Sequence, residues 1–183
     1  LTQIYIDTIL NLQILKGIAL AMKENGISST HSDWSREKCR YFWDPPRQLL
    51  KSIRKYQNYQ AKKGILNKII KKYYVMSHGF WRIITAADIP IDCNIGGGLL
   101  LLHPNGIVIH PQCSIGPNCL ILQQVTIVRG VKIGGHVDIG AGAKIIRPVT
   151  IGDHAKIGAN AVVTTDIPSG SVAAGIPAKV ISM

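Results

Sequence analysis

One periodicity governs the second half of the chain. From residue 109 every sixth position is aliphatic: Ile109, Ile115, Ile121, Ile127, Ile133, Ile139, Ile145, Ile151, Ile157 and Val163. Four residues after each comes a small or β-branched side chain, in the series Cys113, Cys119, Val125, Val131, Val137, Ala143, Val149, Ala155 and Ala161. A period of six suits neither an amphipathic helix nor a single half-buried strand. It describes short strands joined by tight corners, three to a coil, so that a lap takes about eighteen residues. The glycines keep that spacing: Gly116, Gly134 and Gly152 fall eighteen apart, as do Gly140 and Gly158, while the third corner holds His110, Val128, Ile146 and Thr164. Stacked coils bury an aliphatic column that no repeat could bury alone, which makes Cys113 and Cys119 core residues. An earlier series, Ile89, Ile95, Leu101 and Ile107, keeps the period but is offset by two residues, and the slip falls just after His103.

The first half has a different period and a different charge. Residues 1–80 carry fourteen Lys and Arg against five Asp and Glu, and residues 81–183 seven against five, so the net charge of +11 is concentrated N-terminally. Apolar residues fall at helical spacing in three groups: Ile14, Ile18 and Met22; Leu49, Ile53 and Tyr56; Ile65, Ile69, Tyr73 and Met76. Pro45 and Pro46 end one segment and open the next, and Gly26 and Gly64 sit where helices would stop. The expectation is an α+β protein with a helical domain over 1–82 and a repeat domain over 83–183. Between Arg47 and Lys72 stand nine basic residues and no acidic one. They form either a solvated helix face or a contact for an anionic glycan or membrane surface. No nucleic-acid-binding motif accompanies them, and nucleic acid is not an expected partner. The segment LTQIYIDTILNLQILKGIAL is broken by Asp7, Asn11, Gln13 and Lys16, and reads as neither signal peptide nor membrane span. Four cysteines without metal-ligand spacing point to the cytoplasm, peripheral at the inner face of the membrane if the basic segment binds there.

Two histidines lie within the aliphatic stretch GGLLLLHPNGIVIHP. By themselves, His103 and His110 would be satisfied core residues. Together with ADIPIDCNIG, QQVTI, IGAGAKII, IGDHAKIGANAVV and AAGIPAKV, however, this stretch resembles the hexapeptide-repeat acyltransferases, and among them the serine acetyltransferase group. The resemblance covers residues 86–181 and implies a left-handed parallel β-helix. It also implies that His103 and Asp88, fifteen residues earlier, form a catalytic pair: the imidazole is the general base, and the carboxylate orients it. An apolar wall would keep such a base neutral and dry. The donor is then acetyl-CoA, lying along Gly140, Ala141, Gly142 and Lys144 and, one coil on, Ala159 and Asn160. Lys144, Lys156 and Lys179 are the candidates for its phosphates. His110 and Arg129 are placed beside the acceptor. Family slots of this kind lie between neighbouring prisms, which implies a homotrimer.

The sequence departs from that group at the acceptor end. Leu102 stands where an Asp precedes the histidine, and VTIVRGVKIG runs straight through where a longer loop would bring an Arg-His pair, leaving Arg129 alone. These losses remove partners for an amino acid's charges. The reading that follows is O-acetylation of a saccharide hydroxyl in surface-polysaccharide assembly, with L-serine acetylation for cysteine synthesis as one alternative and an inert β-helical assembly module as another. No metal is expected, because His136 and His154 stack eighteen apart without a third histidine in phase.

Overall fold

A computed structural model describes residues 26–182. The helical spacing of Ile14, Ile18 and Met22 lies outside them. A 3₁₀ turn over Trp34–Glu37 leads into α1 (Pro45–Gln60) and α2 (Ile65–Thr85). Proline at the first helical positions is well placed, because its missing N–H has no partner there in any case. Gly64 separates the helices at φ +108°, in the left-handed region that glycine tolerates. The C-terminus of α2 is closed by Ala86 in a left-handed conformation, at the entrance to the solenoid.

The remainder is a parallel β-solenoid with three sheets. The first pairs Asn94–Ile95, Ser114–Ile115, Lys132–Ile133 and Thr150–Ile151. The second runs through Leu100–Leu101, Leu120–Ile121, Asp138–Ile139 and Lys156–Ile157, and the third through Val108–Ile109, Thr126–Ile127, Lys144–Ile145 and Val162–Val163. Each of these twelve strands is two residues long, and its second residue points inward. The inward Ile residues and the Val, Ala and Cys residues at the corners are all buried. Inter-coil hydrogen bonds between backbone groups satisfy the peptide units, for example from Lys144 N to Ala161 O at 2.8 Å.

A solenoid needs its ends covered, because a terminal coil exposes both backbone edges and core. The last coil is closed by an antiparallel hairpin, Val172–Gly175 with Ala178–Ser182. The first coil is closed by the helices: Leu49, Leu50, Ile53 and Trp81 join the same core as Ile89 and Cys93. His78, buried on α2, bonds the Ile89 carbonyl at 2.9 Å.

Residues 28–37 form a strap along the corner between the first and second sheets. The buried Asn118 amide donates to the carbonyls of Ser28 and His31 at 2.7 and 2.8 Å and accepts from Asp33 N at 2.8 Å. The Glu37 carboxylate accepts from Gly98 N at 2.8 Å and Leu99 N at 3.1 Å and is paired with Arg54 at 2.8 Å. Arg54 also donates to the carbonyls of Ile95 and Gly96. The strap lies so close that a Cβ on Gly135 would come within 1.8 Å of Ser29 O.

Candidate functional site

The phase slip seen in the sequence is a two-residue insertion in one corner. Leu101 pairs with Ile121, twenty residues on, whereas Val108 pairs with Thr126, eighteen on. The extra residues fall among Leu102, His103 and Pro104, and they turn that corner outward. His103 is therefore exposed and makes no hydrogen bond among the described residues. This corrects the dry, apolar enclosure expected from the aliphatic run. Leu99, Leu100 and Leu101 are buried, but the insertion lifts the imidazole off the wall they form.

Asp88 opens the third sheet one coil below, bridged to Val108, with Asp88 N donating to Ile107 O at 2.7 Å. Because the local lap is twenty residues, Asp88 stands level with Val108, five positions past His103. Its carboxylate is ion-paired with Arg82, in the last turn of α2, and not with His103. Arg82 is a residue that the sequence reading did not place at the site. Nothing in the chain's periodicity marks it, since its position depends on how α2 packs. Beside the pair is an open cleft of about 500 Å³ lined by Gly79, Arg82, Ile83, Ala86, Ala87 and Asp88. His110 is half-buried one corner beyond His103, and its Nδ1 accepts from Gln112 N at 3.1 Å. Arg129 is exposed in the corresponding corner of the next coil.

The proposed donor slot is a real corner, and most of its small residues answer to coil stacking. A Cβ on Gly140 would lie 2.6 Å from Ala159 N, and one on Gly142, at φ +72°, would lie 2.1 Å from Asn160 Oδ1. Ala141 and Ala159 are different: both reach the surface, and their N–H groups donate no hydrogen bond among the described residues. A ledge of small side chains with outward N–H groups fits an extended arm carrying amide carbonyls. Lys179 is exposed on the closing hairpin and Lys156 lies 4.0 Å from Asp138, whereas the Lys144 ammonium is tied to the Gln124 carbonyl.

Other expectations change in detail. His31 and His78, in the helical half, both have partners: Thr30 Oγ1 at 2.9 Å and the Ile89 carbonyl. Burial holds the His78 imidazole below its ordinary pKa. His136 and His154 do stack, with Nδ1 atoms 2.9 Å apart, and burial likewise depresses His136. No group of three potential ligands could hold a metal among the described residues. The basic segment is not uniformly free. Arg54 is committed to Glu37 and the first coil, and Arg47 to Asp44 and the Arg36 carbonyl, whereas Lys51, Lys55, Lys62, Lys63, Lys68 and Lys72 are exposed. Among the described residues no helix is long and apolar enough to cross a membrane.

Comparison with known proteins bears on the fold. Residues 130–165 match the bacterial transferase hexapeptide (six repeats) family. A serine acetyltransferase from Helicobacter pylori is 39% identical over 109 residues, covering 55% of this chain and 64% of the relative. The solved soybean serine acetyltransferase complexed with serine superposes with a TM-score of 0.62 at 31% identity, over 75% of this chain and 57% of that one. The domain is a left-handed hexapeptide β-helix similar to that of the serine acetyltransferases. A serine acetyltransferase solved in complex with CoA shows the same likeness, with a TM-score of 0.60 at 29% identity over 76% of this chain and 58% of that one. The chain spans 44% of the length of a Synechococcus elongatus relative and 64% of the Helicobacter pylori one.

These likenesses correct the saccharide acceptor, and with it the assignment to polysaccharide assembly. The curated relatives and solved neighbours are serine acetyltransferases, two of the solved ones in complex with serine. The expectation rested on a site stripped of charged partners for an amino acid. The hexapeptide domain's helical cap in fact brings a guanidinium to Asp88.

Proposed function

We propose that this chain transfers the acetyl group of acetyl-CoA to the hydroxyl of L-serine. The observation that carries the reading is the fold-wide likeness to serine acetyltransferases solved with serine and with CoA, together with Asp88 and His103 at the family's spacing. In the reaction, the His103 imidazole takes the serine hydroxyl proton as the oxygen attacks the thioester carbonyl carbon. The resulting tetrahedral intermediate collapses with cleavage of the C–S bond. The imidazolium returns the proton to the departing thiolate, leaving O-acetylserine and CoA, while a carboxylate beside the imidazolium stabilises its charge. The donor arm lies along Ala141 and Ala159, with Lys179 and Lys156 toward its phosphates and His110 and Arg129 toward the acceptor.

A homotrimer belongs to this reading. His103 is exposed in the single chain, and a base that works on a bound hydroxyl gains from exclusion of water. Exposed Ile146, Val108 and Leu102, with half-buried Val128 in the same corner column as Ile146, offer apolar surface for a neighbouring copy to cover that site. The setting is the cytoplasm, where the four unpaired cysteines stay reduced.

The experiment is release of CoA thiol from acetyl-CoA with L-serine, comparing the natural chain with His103→Ala. Turnover should fall by about 10²-fold or more, the general-base contribution. The melting temperature should not move, because His103 is exposed and makes no hydrogen bond. Undiminished turnover in the variant would remove His103 from the chemistry.

A further inference from the structure

The acceptor end of the site contains one cation whose present partner is a residue assigned to catalysis. Arg82 donates to the Asp88 carboxylate across the open cleft between α2 and the first coil. The two side chains are 41% and 57% exposed, so the pair is solvated and weakly held, and an incoming carboxylate competes with Asp88 for the guanidinium. Room for such a ligand exists one helical turn away, because Gly79 presents no side chain and has open space where a Cβ would be. The planar fork of an arginine matches a carboxylate in a way that a lysine's point charge does not. The other acceptor-side cation, Arg129, stands on an exposed corner of the next coil, away from this cleft.

We infer that Arg82 is the anchor for the α-carboxylate of an amino-acid acceptor, and that it exchanges Asp88 for the ligand when the ligand binds. The exchange has a second effect. It releases the Asp88 carboxylate to orient His103, so the base gains its partner only when a charged acceptor is in place. The inference rests on the serine reading above and assigns to the helical cap a selectivity that the solenoid's own loops do not supply.

The test compares L-serine with L-serinamide, which keeps the hydroxyl and ammonium but lacks the carboxylate. For the natural chain, kcat/KM should favour serine by roughly 10- to 100-fold, the range for a hydrogen-bonded charged pair. Arg82→Gln should bring the ratio close to one, chiefly by raising KM for serine, with KM for acetyl-CoA unchanged, and Arg82→Lys should restore part of the preference. A preference that survives in Arg82→Gln overturns the inference, as does a loss falling equally on both acceptors, which is what a purely structural Arg82–Asp88 pair would produce. The natural chain is decisive even if the variants fold poorly: equal use of serine and serinamide refutes the anchor while leaving acetyl transfer intact. Turnover of neither acceptor refutes the serine reading itself.

Discussion

Glu37 shows how much one side chain can hold. Its carboxylate takes two backbone N–H groups from the first coil and the Arg54 guanidinium, all away from water. Removing it leaves a largely buried arginine uncompensated and two amides unsatisfied, a loss of about 3–5 kcal/mol. We expect Glu37→Ala to lower the urea midpoint strongly and Glu37→Gln to fall between it and the natural chain, since the amide keeps an acceptor but not the charge. Equal stability of all three would mean that the strap contributes little to the fold. Nothing in the local sequence WSREKC marks Glu37 as different from a surface carboxylate. Its backbone partners lie some sixty residues away and Arg54 seventeen, and single-chain periodicity carries no such information. Arg82 is close to its partner in sequence but carries no motif, and its placement depends on how α2 packs; Asp88 and His103 are named through the family resemblance and not through the six-residue repeat.

The solenoid is the most legible element of the chain. The inward Ile every sixth residue became the second residue of each two-residue strand, and even the phase slip was visible. What could not be read was its meaning: an offset of two looks the same whether residues are added to a strand or to a corner. Pairing places them in the corner, and so turns His103 to the surface. The glycines serve two readings. Gly140 and Gly142 suit a ligand ledge and coil stacking alike, and a Cβ on either would strike the next coil. Ala141 is the better probe of the ledge, because its side chain reaches the surface. Ala141→Trp should raise KM for acetyl-CoA severalfold while KM for the acceptor and the melting temperature hold steady. Parallel rises in both constants would place the donor elsewhere.

At the scale of the whole molecule, the helices and the solenoid share one core, and that core contains three thiols. Burial pushes Cys93 and Cys119 up to about 12 and Cys113 to about 11. A thiol whose folded pKa is raised stabilises the fold below its unfolded value, near 8.5–9, and that contribution is lost as pH rises through the folded value. The melting temperature should therefore decline steadily above about pH 9. In the native state at neutral pH, a thiol reagent should label Cys39 and reach the other three only on unfolding. Rapid labelling of all four would show that the coils open far more readily than their packing implies.

The strap also imposes an order of events. Its receptor surface is made of Gly97, Asn118 and Gly135, from three successive coils, and the last of these follows Ser29 by roughly one hundred residues. During synthesis at about 5–20 residues per second, the strap must wait on the order of 5–20 s for that surface to exist. Until then the buried carboxylate of Glu37 and the guanidinium of Arg54 have only water and each other. The coils can assemble locally and quickly, each on the one before, but the long-range closure comes last. Early emergence from the ribosome thus gives this segment no head start: the N-terminal strap of the molecule is among the last parts to become native.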